Sequence, residues 1–248
     1  MSQVKWQVEH LEEVDSTNTW LGVRAREGAP AGLVVYSDYQ SAGRGRLDRD
    51  WRAAPGTSLL CSALLELPVS NTPPQWLIVA AALSLCDALD ELTHHRPSLK
   101  WPNDVLFGEH KVAGLLADVV TTKSTTMVVV GLGLNLIDVD PTLVSATTVL
   151  AHTGRSLAPA QVLHRYLHAL AVRRTAMDEP EGLEALGLEY RRALGTLGRR
   201  VRVELAREHV HGHAVGVDGE GALLVDTGEG VRAFRAGDVV HVRREDDE

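Results

Sequence analysis

The sequence predicts an α+β chain in two parts: a mixed, largely antiparallel sheet with packed helices over residues 1–194, and a small β-barrel over residues 195–248. Three observations predict it. Two β-rich runs, Val112–Val120 and Thr126–Leu134, are separated only by the polar Thr121-Thr122-Lys123-Ser124-Thr125, the pattern of an antiparallel hairpin. Apolar residues at helical spacing, such as Val162, Leu163, Tyr166, Leu167, Leu170 and Ala171, occupy stretches set apart from those runs. After Gly195 the texture changes to five short β runs broken by turns, which read as a small barrel.

Along the chain, Asp15-Ser16-Thr17-Asn18 supplies a capped start and Gly28-Ala29-Pro30 a stop for a short helix. Leu33–Tyr36 and Ser58–Leu65 read as strands flanking an Arg/Gly-rich loop. Pro73-Pro74 opens an apolar helix near 75–92, and Ser98–Trp101 begins a further extended segment. Helices follow over 159–177 and 181–194. The short β runs are Val201–Leu205, Val210–Val217, Ala222–Val225, Val231–Phe234 and Val239–Val242, with Asp218-Gly219 and Thr227-Gly228 supplying turns.

The net charge of -8 disfavours a general nucleic-acid binder, which needs a surplus of Lys and Arg on one face. Trp76–Leu89, the longest apolar stretch, is shorter than the about 20 residues a bilayer crossing requires. With no export-type leader in Met1–Trp6, a cytoplasmic protein without membrane attachment is expected. Cys61 and Cys86 sit in apolar sequence and read as buried free thiols in a reducing compartment. His209, His211 and His213 alternate along a strand, and a solvated face is the expected reading rather than a zinc site. Arg199, Arg200 and Arg202 are expected to form surface ion pairs.

Several short strings carry chemistry. Gly43-Arg44-Gly45-Arg46-Leu47-Asp48-Arg49-Asp50-Trp51 combines backbone freedom with guanidinium forks, a fit to phosphate or carboxylate. Such loops also form plain surface ion pairs, and the residues alone leave both readings open. Lys100-Trp101-Pro102-Asn103-Asp104 joins a cation, an amide and a carboxylate at a strand end, though Pro-Asn-Asp is also ordinary turn chemistry. Lys111-Val112-Ala113-Gly114-Leu115-Leu116 starts a strand with a lysine, residues 111, 113 and 115 sharing one face. Gly131-Leu132-Gly133-Leu134-Asn135 lacks the third glycine and the helix of a dinucleotide fingerprint.

Taken in order, these strings together with Asp15–Asn18 resemble the catalytic domain of the biotin protein ligases, in the monofunctional form without an N-terminal DNA-binding domain. The C-terminal β-rich part resembles their SH3-like domain. The resemblance implies that biotin carboxylate attacks the α-phosphorus of ATP to give biotinyl-5′-AMP and pyrophosphate. A lysine of a biotin carboxyl carrier domain then takes the biotinyl group and AMP leaves.

The resemblance places biotin against Ser16, Thr17, Asn18, Gln40, Gly43, Arg44, Gly45, Arg46, Lys111 and Gly114. It places ATP and the adenylate against Arg46, Arg49, Trp51, Lys100, Asn103, Lys111 and Asn135. Lys111, Arg46 and Asp104 are the implied catalytic set, with Asp104 either receiving a proton from the acceptor amine or helping to place Mg2+. Magnesium is the implied companion of ATP, its protein ligands unassigned. A monomer or weak homodimer is expected.

One position departs from the family pattern: Asp48 stands where these loops commonly have glycine, and a carboxylate there opposes phosphate unless it turns to Arg46 or Arg49. A lipoate or octanoate ligase is the nearest enzymatic alternative, disfavoured by the polar Ser16, Thr17, Asn18 and Gln40 set that suits a ureido ring. A repressor is the alternative from another class, and the fourteen residues before Asp15 are too few for a winged helix.

Overall fold

The computed structural model describes residues 4–47, 49–67, 72–121 and 126–242. A seven-stranded sheet forms the first part, built from β1 (Gln7–Val14), β2 (Leu33–Gln40), β3 (Ser58–Glu66), β4 (Ser98–Lys100), β5 (Asp104–Phe107), β6 (His110–Thr121) and β7 (Thr126–Asn135). Its order is β1-β2-β3-β7-β6-β5-β4. Only β1 and β2 run parallel, and every other neighbour pair is antiparallel, so the mixed, largely antiparallel sheet is as expected. The pairing of β6 with β7 bears out the hairpin, whose turn, 122–125, lies outside the described residues.

Alternation along the strands sends residues to two faces. Leu59, Cys61, Ala63 and Leu65 of β3 and Val128, Val130, Leu132 and Leu134 of β7 join one core with α2 (Gln75–Thr93), α4 (Pro159–Ala176) and α5 (Pro180–Ala193). Leu64 of β3 and Met127 and Val129 of β7 point the other way, against Leu21 and Ala25 of α1 (Thr17–Arg26). Nearly every side of α2 is buried, which accounts for its run of apolar residues. Burial pushes the thiols of Cys61 and Cys86 up to about 12, so both are buried free cysteines as expected.

Three elements escaped the sequence reading. β1 is a largely exposed edge strand in which Glu9, His10, Glu12 and Glu13 break the apolar alternation that marks a strand. β5 is four residues long, hidden behind the Pro-Asn turn, and the single-turn helix α3 (Val149–Thr153) is set by a Thr148 cap.

The second part is a five-stranded antiparallel sheet of β8 (Arg200–Glu204), β9 (His209–Val217), β10 (Leu223–Asp226), β11 (Val231–Phe234) and β12 (Asp238–His241), in the order β11-β10-β9-β8-β12. Two indoles fasten it to the first part: Trp76 donates to the Gly219 carbonyl at 3.0 Å and Trp101 to the Gly221 carbonyl at 3.1 Å. His209, His211 and His213 lie on the exposed side of β9. Arg199 pairs with Glu109 and Arg202 with Glu204, the surface ion pairs expected there.

Candidate active site

Beyond the end of α1, on the same sheet face, lies a cavity of about 440 Å3. Its floor is glycine. Gly131 and Gly133 alternate along β7 and so face the same way, with Gly114 opposite Gly133 on β6. A methyl group on Gly133 would lie 2.6 Å from Cζ2 of Trp51, and one on Gly131 would lie 2.8 Å from Cγ of Asn18. Both side chains therefore lie flat on bare backbone.

One end of the cavity is a network of neutral polar groups. Ser16 caps α1, its hydroxyl oxygen accepting from Thr19 N. Thr17 gives Gln40 Oε1 both its backbone N–H, at 2.7 Å, and its hydroxyl, at 3.0 Å. A backbone N–H can only donate, so Gln40 is fixed with its oxygen toward Thr17 and its amide nitrogen left to donate elsewhere. Asn18 donates to the Leu116 carbonyl and to Asp118, and accepts from Ser62.

The Arg/Gly loop forms a small hairpin, with an Arg44–Asp50 bridge and Trp51 N donating to the Gly43 carbonyl at 2.9 Å. Gly43 is buried behind the loop rather than facing the cavity, where a side chain would strike the Trp51 carbonyl. Trp51 carries its ring over Gly133 and Gly114, and its indole N–H is buried with no hydrogen-bond partner among the described residues. Arg46 donates to Asn103 Oδ1 at 3.3 Å, the Gly237 carbonyl at 3.1 Å and Asp238 at 3.3 Å, while Arg49 pairs with the other oxygen of Asp238. Burial lowers the Arg46 pKa, opposed by Asp238 and Asp104. Asp48, the departure noted above, lies outside the described residues.

Lys111 occupies the centre. Its Nζ lies 2.6 Å from Asp104 Oδ1 and 5.6 Å from the Trp51 ring centroid, a cation–π approach. The expectation that residues 111, 113 and 115 share a face is corrected. Val105 pairs with Ala113 but Leu106 with Lys111, so a bulge at Val112 inserts one residue and swings Lys111 beside Gly114, while Ala113 and Leu115 enter the core. Asn103 exchanges hydrogen bonds with the Leu115 backbone, and Asn135 donates to the Thr147 carbonyl, so both line the cavity while bracing its walls.

The Biotin/lipoate A/B protein ligase family model matches residues 11–135, and the Biotin protein ligase C terminal domain matches residues 196–242. A Biotin--[acetyl-CoA-carboxylase] ligase of Mycobacterium tuberculosis is 35% identical, over 96% of this chain and 90% of its own length. The chain belongs to the biotin protein ligase family. The Bifunctional ligase/repressor BirA of Bacillus subtilis is 28% identical over 87% of this chain and 68% of its own length. The solved biotin protein ligase from Aquifex aeolicus in complex with biotin and ATP superposes with a TM-score of 0.82, at 30% identity, over 96% of this chain and 99% of that one.

In this biotin protein ligase the cavity gathers Ser16, Thr17, Asn18, Gln40, Arg44, Gly45, Arg46, Arg49, Trp51, Lys100, Asn103, Asp104, Lys111, Gly114 and Asn135, all singled out from the sequence. Trp101 of the Lys100–Asp104 string also borders the cavity, its side chain packed into the core. The C-terminal sheet has the SH3-like fold of the family. Sequence reasoning missed the wall that this sheet supplies through Glu204, Asp238, Val239 and Val240, and the apolar Val139 and Leu143 of the segment after β7. Neither carries a motif. Among the described residues no helix is long and apolar enough to cross a membrane.

Proposed function

We propose that this chain catalyses ATP-dependent biotinylation of a carrier-domain lysine through biotinyl-5′-AMP. The observation that carries the proposal is one cavity holding neutral polar groups at one end and Lys111 with Arg46 beyond them. The Gln40 amide nitrogen and the hydroxyls of Ser16 and Thr17 suit a ureido ring, with Asn18 holding that wall and Gly43, Arg44, Gly45 and Gly114 shaping it. Val139 and Leu143 offer an apolar cover for a base, near Trp51, Asn103 and Asn135, while Arg46, Arg49 and Lys100 face the phosphates.

In the first step a biotin carboxylate oxygen bonds to the α-phosphorus of ATP and the α–β phosphoanhydride bond breaks, releasing pyrophosphate. Negative charge builds on the phosphoryl oxygens, and preorganised cations in a water-poor cavity are the main device available to stabilise it. Lys111 bridges the two anions and Arg46 holds the α-phosphate. In the second step the lysine amine attacks the biotinyl carbonyl, AMP leaves, and the proton passes to Asp104, the carboxylate beside Lys111.

Among the described residues no three metal-binding side chains cluster. The residues fit magnesium carried on the triphosphate rather than a protein cage, since this ion accepts one or two carboxylates alongside phosphate oxygens. Asp50, Asp104, Glu204 and Asp238 line the cavity, one or two of these carboxylates would hold the ion, and it would neutralise charge on the leaving pyrophosphate. We propose further that residues 1–194 form the catalytic unit and 195–248 a separate module, in a cytoplasmic monomer or weak homodimer that engages neither nucleic acid nor membrane.

Labelled biotin offered with a purified carrier domain tests the reading. Label should reach the carrier only with ATP and magnesium present, and calorimetry should give heat with biotin and none with lipoate. A lipoate signal without a biotin signal would overturn the proposal.

A further inference from the structure

Asp118 of β6 belongs to none of the strings that drew attention in the sequence, yet two of the residues placed at the biotin end converge on it. Its Oδ2 accepts from Asn18 Nδ2 at 3.1 Å and from Arg44 at 3.2 Å. Arg44 stands at the stem of the 43–51 hairpin, bridged to Asp50. Asn18 stands in the first turn of α1, next to Thr17.

The hydrogen bonds of Asn18 are committed to the protein. Its amide protons go to the Leu116 carbonyl and to Asp118, and its Oδ1 receives the proton of Ser62, a fully buried hydroxyl in β3, at 2.6 Å. Ser62, Gly131 and Leu116 are cross-strand neighbours on β3, β7 and β6, and Asn18 lies across that row, on the bare backbone of Gly131. Asn18 is thus a strut of the cavity wall. At its outer end the strut meets a carboxylate that also holds the loop.

We propose that Asp118 is a positioning residue for biotin: by gripping Asn18 and Arg44 with one oxygen, it locks the start of α1 to the stem of the Arg/Gly loop and so sets the spacing between Thr17, Gln40 and the loop backbone. The inference rests on the biotin reading of this cavity. The Arg44 contact adds little to stability, because Arg44 is half exposed, whereas the Asn18 contact is buried and holds the wall in place.

Steady-state pyrophosphate release is the test, with biotin and ATP varied in turn. Asp118→Ala should raise KM for biotin about tenfold, the size of losing a charge-assisted hydrogen bond, and leave KM for ATP as in the unaltered protein. Asp118→Asn keeps an acceptor oxygen and should recover biotin KM to within about threefold. Arg44→Gln should raise biotin KM in the same direction, and the double variant should be no worse than the poorer single one, because Asp118→Ala already removes the contact that Arg44→Gln removes.

A folded Asp118→Ala protein with unchanged biotin KM, equal shifts in both KM values, or additive effects in the double variant overturns the inference. If Asp118→Ala does not fold, Arg44→Gln carries the test, and an unchanged biotin KM there overturns it equally. Absence of biotin-dependent pyrophosphate release from the unaltered protein sinks the reading of the cavity itself, and this inference with it.

Discussion

The glycine floor makes a graded prediction. Gly133 has ordinary strand backbone, so Gly133→Ala is resisted by what stands above it and not by φ. The new methyl would lie 2.6 Å from Cζ2 and 2.8 Å from Cδ2 of Trp51. Carbon atoms pack at about 3.5 Å and Cε2 of Trp51 is nearer still, so the indole must rise by about 1 Å. It is poorly placed to do so, because Trp51 N is tied to the Gly43 carbonyl. Overpacking of this kind costs about 1–3 kcal/mol. Gly114→Ala is the internal control: its methyl would lie 3.2 Å from Cζ3 of Trp51, about 0.3 Å short, and its other close neighbours are the flexible Cε and Nζ of Lys111. Urea denaturation with calorimetric biotin titration reads both effects. Gly133→Ala should lose more stability than Gly114→Ala and bind biotin at least about tenfold more weakly, since the ring then stands up in the cavity. Equal stability and equal affinity for the two variants would refute the idea that the glycines exist to let Trp51 lie flat.

The other expectations are simpler. Lys111→Ala should abolish biotin-dependent pyrophosphate exchange while the protein stays folded; retained exchange would move the phosphoryl chemistry to another cation. Arg46→Lys should shorten the retention of biotinyl-AMP on a gel-filtration column, because an ammonium cannot reach Asn103, Gly237 and Asp238 together as the guanidinium does. Burial, with Lys100 and Arg199 nearby, lowers the His241 pKa below its unfolded value of about 6.5. The unfolded chain then binds the extra proton first, so stability present above about pH 6.5 is lost as pH falls toward the folded pKa, and His241→Asn should flatten the fall in thermal midpoint between about pH 7.5 and about pH 5.5. Cys61 and Cys86 should both resist an aromatic disulfide reagent in the native protein and both react in denaturant; a thiol that reacts natively contradicts their burial.

What the sequence revealed depended on how local its cause was. Strands buried on one or both faces, such as β3 and β7, are legible because apolar side chains are the reason they are strands. Helix α1 is legible from Ser16, since a cap is a local hydrogen bond. β1 is held by parallel pairing with β2, a partner nineteen or more residues away in sequence, and its own residues carry little sign of it. The same holds within the site. Lys111, Arg46 and Thr17 stand in recognisable strings, but Asp118 and Asp238 matter through charges that reach them from the Arg/Gly loop, far away in sequence. The bulge at Val112 was also out of reach, because it is visible only as a shift of register against β5.

The charge pattern of the cavity explains how an acidic chain holds an anion site together before any anion arrives. Around the cavity stand Arg44, Arg46, Arg49, Arg52, Lys100 and Lys111, against Asp50, Asp104, Glu204 and Asp238, a local excess of two positive charges in a chain of net charge -8. Most of these cations already have a carboxylate: Lys111 has Asp104, Arg46 and Arg49 share Asp238, and Arg52 has Asp50. Those partners offset the mutual repulsion of the cations crowded around the cavity. Paired, they are held where phosphate oxygens can become their partners with little rearrangement, which is the condition for electrostatic stabilisation without reorganisation cost during the reaction. Because Asp238 lies on β12, part of that arrangement is supplied by the C-terminal sheet, which is a wall of the cavity as well as a neighbour of it.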